Sequence, residues 1–328
     1  MISKLYRLCG LIRSEGLPGF NYLFPPIRPA AIVIGAQKAG TTALYRYLAR
    51  HPGVASSKVK EIDFFNCDAR YSLGLDFYHA HFPRRTPRNA GRITLDVTPG
   101  YMAGAEKAAQ RIHRYNPRIR LIAILRDPVT RAYSAWHHYR NNCRLRPGWF
   151  KRWHHRCSGP EAAFAFIPRR HQFGKSFRQD LEDEMQVLEA GGIVEMPILR
   201  LGLYHEFLSH YQRLFDRRQM LILCSEKMAG DTVSELKKVE AFLGLKPYGW
   251  TRDNTRPESV GSYEDPVPED AGKILRDFYR ERNEDLFELL GFRLPWAEGI
   301  PRADRLVEPM PQKGIPLQKS CSSRSTSG

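Results

Sequence analysis

No run of about 18 apolar residues occurs anywhere in the chain, so no segment reads as a transmembrane helix. The opening stretch, MISKLYRLCGLIRSEGLPGF, holds two short apolar patches broken by Arg7 and Arg13, which is too weak for a secretory signal. With no anchor in a chain that starts at Met1, the expectation is a cytoplasmic protein. Cysteine is sparse as well. Cys9, Cys67, Cys143, Cys157, Cys224 and Cys321 are scattered over 328 residues with no CxxC, which excludes both a disulfide framework and a zinc ribbon. His154, His155 and Cys157 lie close together but lack a second ligand pair, so they read as surface residues and no metal is expected.

Acid is the other shortage. Against 51 Lys and Arg there are 35 Asp and Glu, a net charge of +16, and the deficit is local. Residues 140–178 carry ten bases and one acid, Glu161, whereas residues 231–298 carry fifteen acids and ten bases. Such a block suggests a polyanionic partner. No zinc-finger, RNP or basic-zipper pattern accompanies it, so nucleic acid is not the expected partner. A solvated insertion with no binding role accounts for the same composition.

What is present is an alternation. Apolar β-like runs recur at 31–35, 92–96, 120–125 and 219–224, with helical patterns between them at 41–51, 103–115, 128–142, 178–190 and 203–215. Strands alternating with helices imply an α/β chain with a parallel sheet covered on both faces. Helix ends are marked: Asp127-Pro128 as N-cap and first-turn proline, Asp231 as a cap, and Gly191-Gly192, Gly244 and Gly291 as stops. No internal repeat is visible. The organisation reads as an N-terminal extension (1–29), one domain (30–298) with a basic insertion at 143–176, and a polar, low-complexity tail (299–328) expected to be disordered.

The most informative segment is IVIGAQKAGTT, residues 32–42. A β run stops at Gly35, a short loop of Ala36, Gln37, Lys38, Ala39 and Gly40 follows, and Thr41 and Thr42 open a helix. This arrangement aims backbone N–H groups and the positive end of a helix at one spot, where phosphate is the usual occupant. In GxxxxGK[ST] the lysine follows the second glycine. Here it lies inside the loop at Lys38, so the loop is shaped for phosphate but poorly suited to an ATPase. A second strand-to-helix segment, LIAILRDPVTRAYSAWHHY (121–139), puts Arg126 at a strand's carboxyl end and Ser134 two turns into the next helix. Ligands of α/β sheets bind outside those strand ends. A guanidinium fork with a hydroxyl suits a second phosphate group.

Together, in this order, the two motifs resemble the sulfotransferases that use 3′-phosphoadenosine 5′-phosphosulfate (PAPS). HPGVASSKVKEIDFFN (51–66), LDVTPGYM (95–102), RLGLYHEFLSHYQRLF (200–215) and LKKVEAFLGL (236–245) are similar to the heparan-sulfate glucosaminyl N- and 3-O-sulfotransferase branch, and the resemblance covers residues 30–292. It implies a P-loop-like three-layer fold with a central parallel sheet flanked by helices. It also implies sulfuryl transfer from PAPS, without metal, to a hydroxyl or amino group of a carbohydrate, with an anionic glycan expected. In that family the first loop, here Gln37, Lys38, Ala39, Gly40, Thr41 and Thr42, holds the 5′-phosphosulfate. The strand arginine and helix serine, here Arg126 and Ser134, hold the 3′-phosphate. Lys38 matches the lysine that meets charge on the leaving phosphate. Glu61 stands where the branch carries its catalytic glutamate, before Phe64-Phe65, and a carboxylate packed beside aromatics holds a proton more readily. Asp96 is the reserve base or an acceptor-positioning group.

Two departures stand out. The branch has a lysine beside the acid at 96, and this chain has Val97. The branch also has a Lys-Gly loop over the cofactor, and in RDNTRPESVGSYEDP (252–266) only Gly261 matches, leaving Arg252 or Arg256 as substitute clamps. Tyr204 is expected near the adenosine end or acceptor cleft, or else in the core. His137-His138 reads as structural. Two other readings stay open: a P-loop nucleotide kinase or NTPase, disfavoured by the displaced lysine and missing Walker B acid, and a catalytically dead polyanion-binding protein, disfavoured by the intact Lys38, Arg126 and Ser134.

The basic block generates a test. Charge steering is screened over a Debye length of about 8 Å at physiological salt. So kcat/KM for an anionic acceptor should fall steeply with added salt, and that for a neutral acceptor should not. Replacing Lys151, Arg152, Arg169 and Arg170 by Ala should flatten the dependence while leaving PAPS binding unchanged.

Overall fold

The computed structural model describes residues 24–145, 166–167, 173, 176–194, 196–256 and 266–296. Its centre is a four-stranded parallel sheet of β1 (Pro29–Gly35), β2 (Thr94–Val97), β3 (Arg120–Leu125) and β6 (Met220–Cys224), in the order β2-β1-β3-β6. Register runs through Ala31 opposite Leu95, Ile32 opposite Leu121, and Leu125 opposite Cys224. Ile32, Val33, Ile34, Ile122 and Ile124 are all sealed from solvent. An unbroken apolar run is what a strand covered on both faces requires.

The covering helices are α1 (Thr41–Arg50), α2 (Asp68–Tyr71), α3 (Gly74–His79), α4 (Gly100–Ala103), α5 (Ala105–Tyr115), α6 (Pro128–Leu145), α7 (Phe177–Glu189), α8 (Tyr204–Gln212), α9 (Ser225–Gly230), α10 (Thr232–Leu243) and α11 (Glu269–Leu290). A two-residue parallel pair, β4 (Phe166–Ile167) with β5 (Ile193–Val194), stands apart from the sheet. Buried side chains form two clusters. One surrounds the sheet and includes Leu44, Phe64, Ile112, Leu208 and Leu236; the other joins α6, α7 and residues 196–203 through Trp136, Leu181 and Ile198. The long α11 belongs to both, placing Ala271, Leu275 and Tyr279 in the second cluster and Leu286, Phe287 and Leu290 in the first.

Expected element ends are met closely where caps mark them. The Asp127 carboxylate accepts the N–H groups of Val129 (3.1 Å) and Thr130 (3.3 Å), and Asp231 accepts that of Ser234 (3.1 Å). Gly191, Gly244 and Gly291 stop their helices at positive φ. The pattern at 103–115 is met by α5, and the short α4 lies just before it across Gly104, where an added Cβ would come 3.0 Å from the Asn66 Cβ. Most of the insertion at 143–176, the extension at 1–23 and the tail from 297 lie outside the described residues.

Strand order positions the site. From β1 the chain goes to β2 on one side, then returns to β3 on the other. The carboxyl ends of β1 and β3 thus flank a topological switch point, the usual ligand crevice of such sheets. The Ala36 N–H donates to the Ile124 carbonyl at 2.7 Å and joins the two ends. Gly35 is required here: a Cβ would sit 2.6 Å from the Cβ of Met102 in α4. Gly35→Ala should therefore cost about 1–3 kcal/mol through overpacking, read as a lowered urea midpoint.

Candidate functional site

The loop after β1 turns on two left-handed residues, Lys38 at φ 67° and Gly40 at φ 99°. Gly40 is the N-cap of α1, yet no side chain caps that helix and its first turn holds no acid. The amides at its start are thus left for an outside acceptor. Around them stand cations. Burial pulls the Lys38 ammonium below its ordinary pKa, the Arg126 charge adds to this, and Arg131 and Lys60 push the same way; Glu61 is the carboxylate that opposes them. Lys38 has no ion-pair partner among the described residues.

Arg126 leaves the end of β3 and is fixed from three directions. Its Nη1 donates to the Lys38 carbonyl (3.1 Å), its Nε donates to Thr130 Oγ1 (3.1 Å), and its own carbonyl accepts the Tyr204 hydroxyl (2.9 Å). Tyr204 is itself buried, so it is a core residue that holds the backbone of the arginine. Gln37 accepts from the Tyr139 hydroxyl at 2.6 Å, which ties the loop to α6. Ser134 is buried on that same helix, Ala39 and Thr41 are buried in the loop and at the start of α1, and Thr42 is half-buried. The structure therefore brings Lys38 and Arg126 into one crevice, with Ser134 on the adjoining helix. Gly261 lies outside the described residues. Arg252 is exposed, and Arg256 is exposed beside Asp253, 2.7 Å from its Oδ1. The backbone just before Gly261 is moored to α1: the Tyr47 hydroxyl donates to the Thr255 carbonyl (3.2 Å), and Arg50 Nη1 to that of Asn254 (2.9 Å). His137 packs edge-on against Tyr133 with ring centroids 4.5 Å apart, a packing role within α6.

On the other side of the crevice, Glu61 stands in the left-handed region (φ 64°), its side chain 52% exposed and paired with the Lys60 ammonium. Its aromatic surroundings differ from expectation. Phe64 and Phe65 turn into the core, because the chain reverses through positive φ at both Glu61 and Asp63. The acid buried beside that turn is Asp63. Burial raises its pKa from an ordinary 3.8 to about 6, opposed by a hydrogen bond from Asn66 Nδ2 (3.2 Å).

Asp96 requires a correction. It is sealed from solvent, and its carboxylate accepts the hydroxyls of Thr98 (2.7 Å), Tyr101 (2.7 Å) and Tyr78 (3.1 Å). Burial raises its pKa despite those donors. A carboxylate so enclosed suits neither a base nor an acceptor contact. Its effect is on Glu61. Thr98 Oγ1, fixed by Asp96, accepts the Ile62 N–H (3.0 Å), and the Val97 carbonyl accepts the Glu61 N–H (3.0 Å). The family model for the sulfotransferase domain matches residues 28–261.

The chain belongs to the sulfotransferase domain family.

Among its relatives, heparan sulfate glucosamine 3-O-sulfotransferase 6 of Homo sapiens is 28% identical over 310 residues, covering 87% of this chain and 80% of that protein. The bifunctional heparan sulfate N-deacetylase/N-sulfotransferase 3 of Homo sapiens is 26% identical over 287 residues, covering 80% of this chain but 30% of that larger protein. A solved sulfotransferase from Alicyclobacillus acidocaldarius superposes with a TM-score of 0.60 at 22% identity, covering 83% of this chain and 99% of that one, a likeness of fold. The protein is a PAPS-dependent sulfotransferase, and its crevice fits such a donor. An uncapped helix start with no acid in its first turn and two clustered cations, Lys38 and Arg126, form a cradle for a nucleotide with several phosphates.

Asp63 gives this sulfotransferase a pH signature. Its folded-state pKa lies above the ordinary value, so the fold favours its protonated form. That contribution is complete below about pH 4 and is lost as pH rises through about 6. Asp63→Asn keeps the shape and removes the ionisation. Urea midpoints of variant and wild type should run parallel near pH 4 and separate in the variant's favour towards pH 7.

Proposed function

We propose that this sulfotransferase carries a sulfuryl group from PAPS to a hydroxyl or amino group of an anionic glycan, with Lys38, Arg126, Ser134 and Glu61 as the working side chains. The observation that carries the reading is the meeting of Lys38 and Arg126 at the switch point, beside the uncapped start of α1. The names of the relatives, heparan sulfate 3-O- and N-sulfotransferases, support a glycosaminoglycan-like acceptor, as does the basic block at 140–178.

When bound, PAPS supplies a sulfuryl group already activated by its link to the 5′-phosphate. The amides at residues 39–42 hold the 5′ end, as helix starts hold phosphate. The Lys38 ammonium offsets negative charge at the leaving oxygen, where a fixed cation in a half-buried site counts for more than in water. Its depressed pKa reflects the same burial and the nearby Arg126. Arg126 and Ser134 hold the 3′-phosphate. Glu61, open to solvent and close enough for its charge to act on Lys38 across the crevice, accepts the proton of the acceptor's hydroxyl or amine. Asp96 acts through Thr98 and the neighbouring backbone to keep the 61–62 turn in place.

Binding of adenosine 3′,5′-bisphosphate in preference to ATP is the primary test. Lys38→Ala should cost about 100-fold or more in kcat, the scale of removing one donor to a developing anion, with a smaller change in nucleotide affinity. Glu61→Gln should lose transfer while binding the bisphosphate as wild type does. Tight ATP binding with no response to the bisphosphate, or full activity in Lys38→Ala, would overturn the reading.

A further inference from the structure

Arg131 heads the large side chains that are sealed completely from solvent. It lies on α6 three residues before Ser134, a spacing that puts the two on adjoining turns of one helix face. Its Nη2 donates to the Ile198 carbonyl. Nε and Nη1 make no hydrogen bond of good geometry among the described residues, although the Tyr279 hydroxyl and the buried Glu184 carboxylate stand close to the guanidinium.

The guanidinium is held by a rigid frame. Glu184 of α7, also fully buried, accepts the backbone N–H groups of Ile198 (2.7 Å), Leu199 (2.9 Å) and Arg200 (3.0 Å). The Tyr279 hydroxyl donates to the Leu199 carbonyl at 2.7 Å, over Gly202, where a Cβ would come within 2.6 Å of that hydroxyl. The same segment leads into Tyr204, which holds the Arg126 carbonyl. The Arg131 charge is felt at Lys38 and at Tyr204. The Glu184 carboxylate offsets part of this buried charge, and further anionic charge at the nucleotide site would offset more of its cost.

We propose that Arg131 is a supporting cation of the nucleotide site, set behind Arg126 and Ser134, whose charge adds to that of Arg126 at the phosphates of the bound donor. The proposal rests on the PAPS reading above. Arg131 acts through the low-dielectric interior, so its contribution grows with the charge of the nucleotide.

Calorimetric titration of the full chain with adenosine 3′,5′-bisphosphate, AMP and adenosine tests this. Arg131→Met should weaken bisphosphate binding by about tenfold or more, as expected for a charge felt across a few ångströms of protein. AMP should lose less, and adenosine should be unaffected. Arg131→Lys, which keeps the charge, should bind the bisphosphate within about threefold of wild type. Equal losses for all three ligands in Arg131→Met would mean a distorted cleft and overturn the proposal, as would no loss at all. If Arg131→Met does not fold, Arg131→Lys decides: a folded Lys variant with the full loss of affinity overturns it. A wild type that binds none of the three would instead overturn the donor reading itself, and this proposal with it.

Discussion

Two cations forced into one crevice are the constraint on which the rest of the site depends. Lys38 and Arg126 repel, and Lys38 gives up part of its basicity to burial and to that repulsion. Nothing in their own chemistry would hold them together. The fold does so through backbone carbonyls: that of Ile124 accepts the Ala36 amide, and that of Lys38 accepts from Arg126 Nη1. Each of these bonds spans the ends of β1 and β3, so the pairing of two central strands is what fixes the distance between the charges. A cleft pre-organised in this way bears its electrostatic cost before ligand arrives, and an anion then binds without rearrangement.

The supports of this pair come from distant parts of the chain. Tyr204 from α8 anchors the Arg126 carbonyl, Tyr139 from α6 anchors Gln37, and the capping carboxylate of Asp127 fixes the start of α6. Glu184 and Tyr279 hold the segment that presents Tyr204. These are mostly buried side chains bonding to backbone, the arrangement that fixes a main chain without adding net charge at the surface. α11 joins the two core clusters, so the frame behind Arg126 and the sheet beneath it share one element.

Much of this architecture was legible in the chain itself, for identifiable reasons. β1 and β3 are unbroken apolar runs, and only a strand covered on both faces reads that way. Helices with a polar cap or a terminal glycine, such as α10 between Asp231 and Gly244, declared their ends. The loop bearing Lys38 and Gly40 and the place of Arg126 were readable because they lie at strand-to-helix turns whose geometry follows from local sequence. The short helices α2, α3, α4 and α9 were not readable, since a turn or two carries too little periodicity. The close packing of Gly104 on Asn66, thirty-eight residues earlier, is a contact that no local pattern encodes.

The acceptor side was harder for a physical reason. Glu61, Asp63 and Asp96 are all carboxylates near the ends of strands or turns, and sequence alone assigns them interchangeable chemistry. Their roles separate only through burial. Glu61 is open and paired with Lys60; Asp63 is enclosed and readily protonated; Asp96 is sealed and saturated with three hydroxyls. Positive φ at Glu61 and Asp63 causes the divergence, turning one acid outward and burying the other beside Asn66 within three residues. Thr98 then links the sealed acid to the turn bearing the open one. The exposed carboxylate is thereby set on a rigid base continuous with β2, while the cations opposite it are set on β1 and β3. Lys38, Arg126 and Glu61 are thus tied to three neighbouring strands of one sheet, and their relative placement follows from strand register.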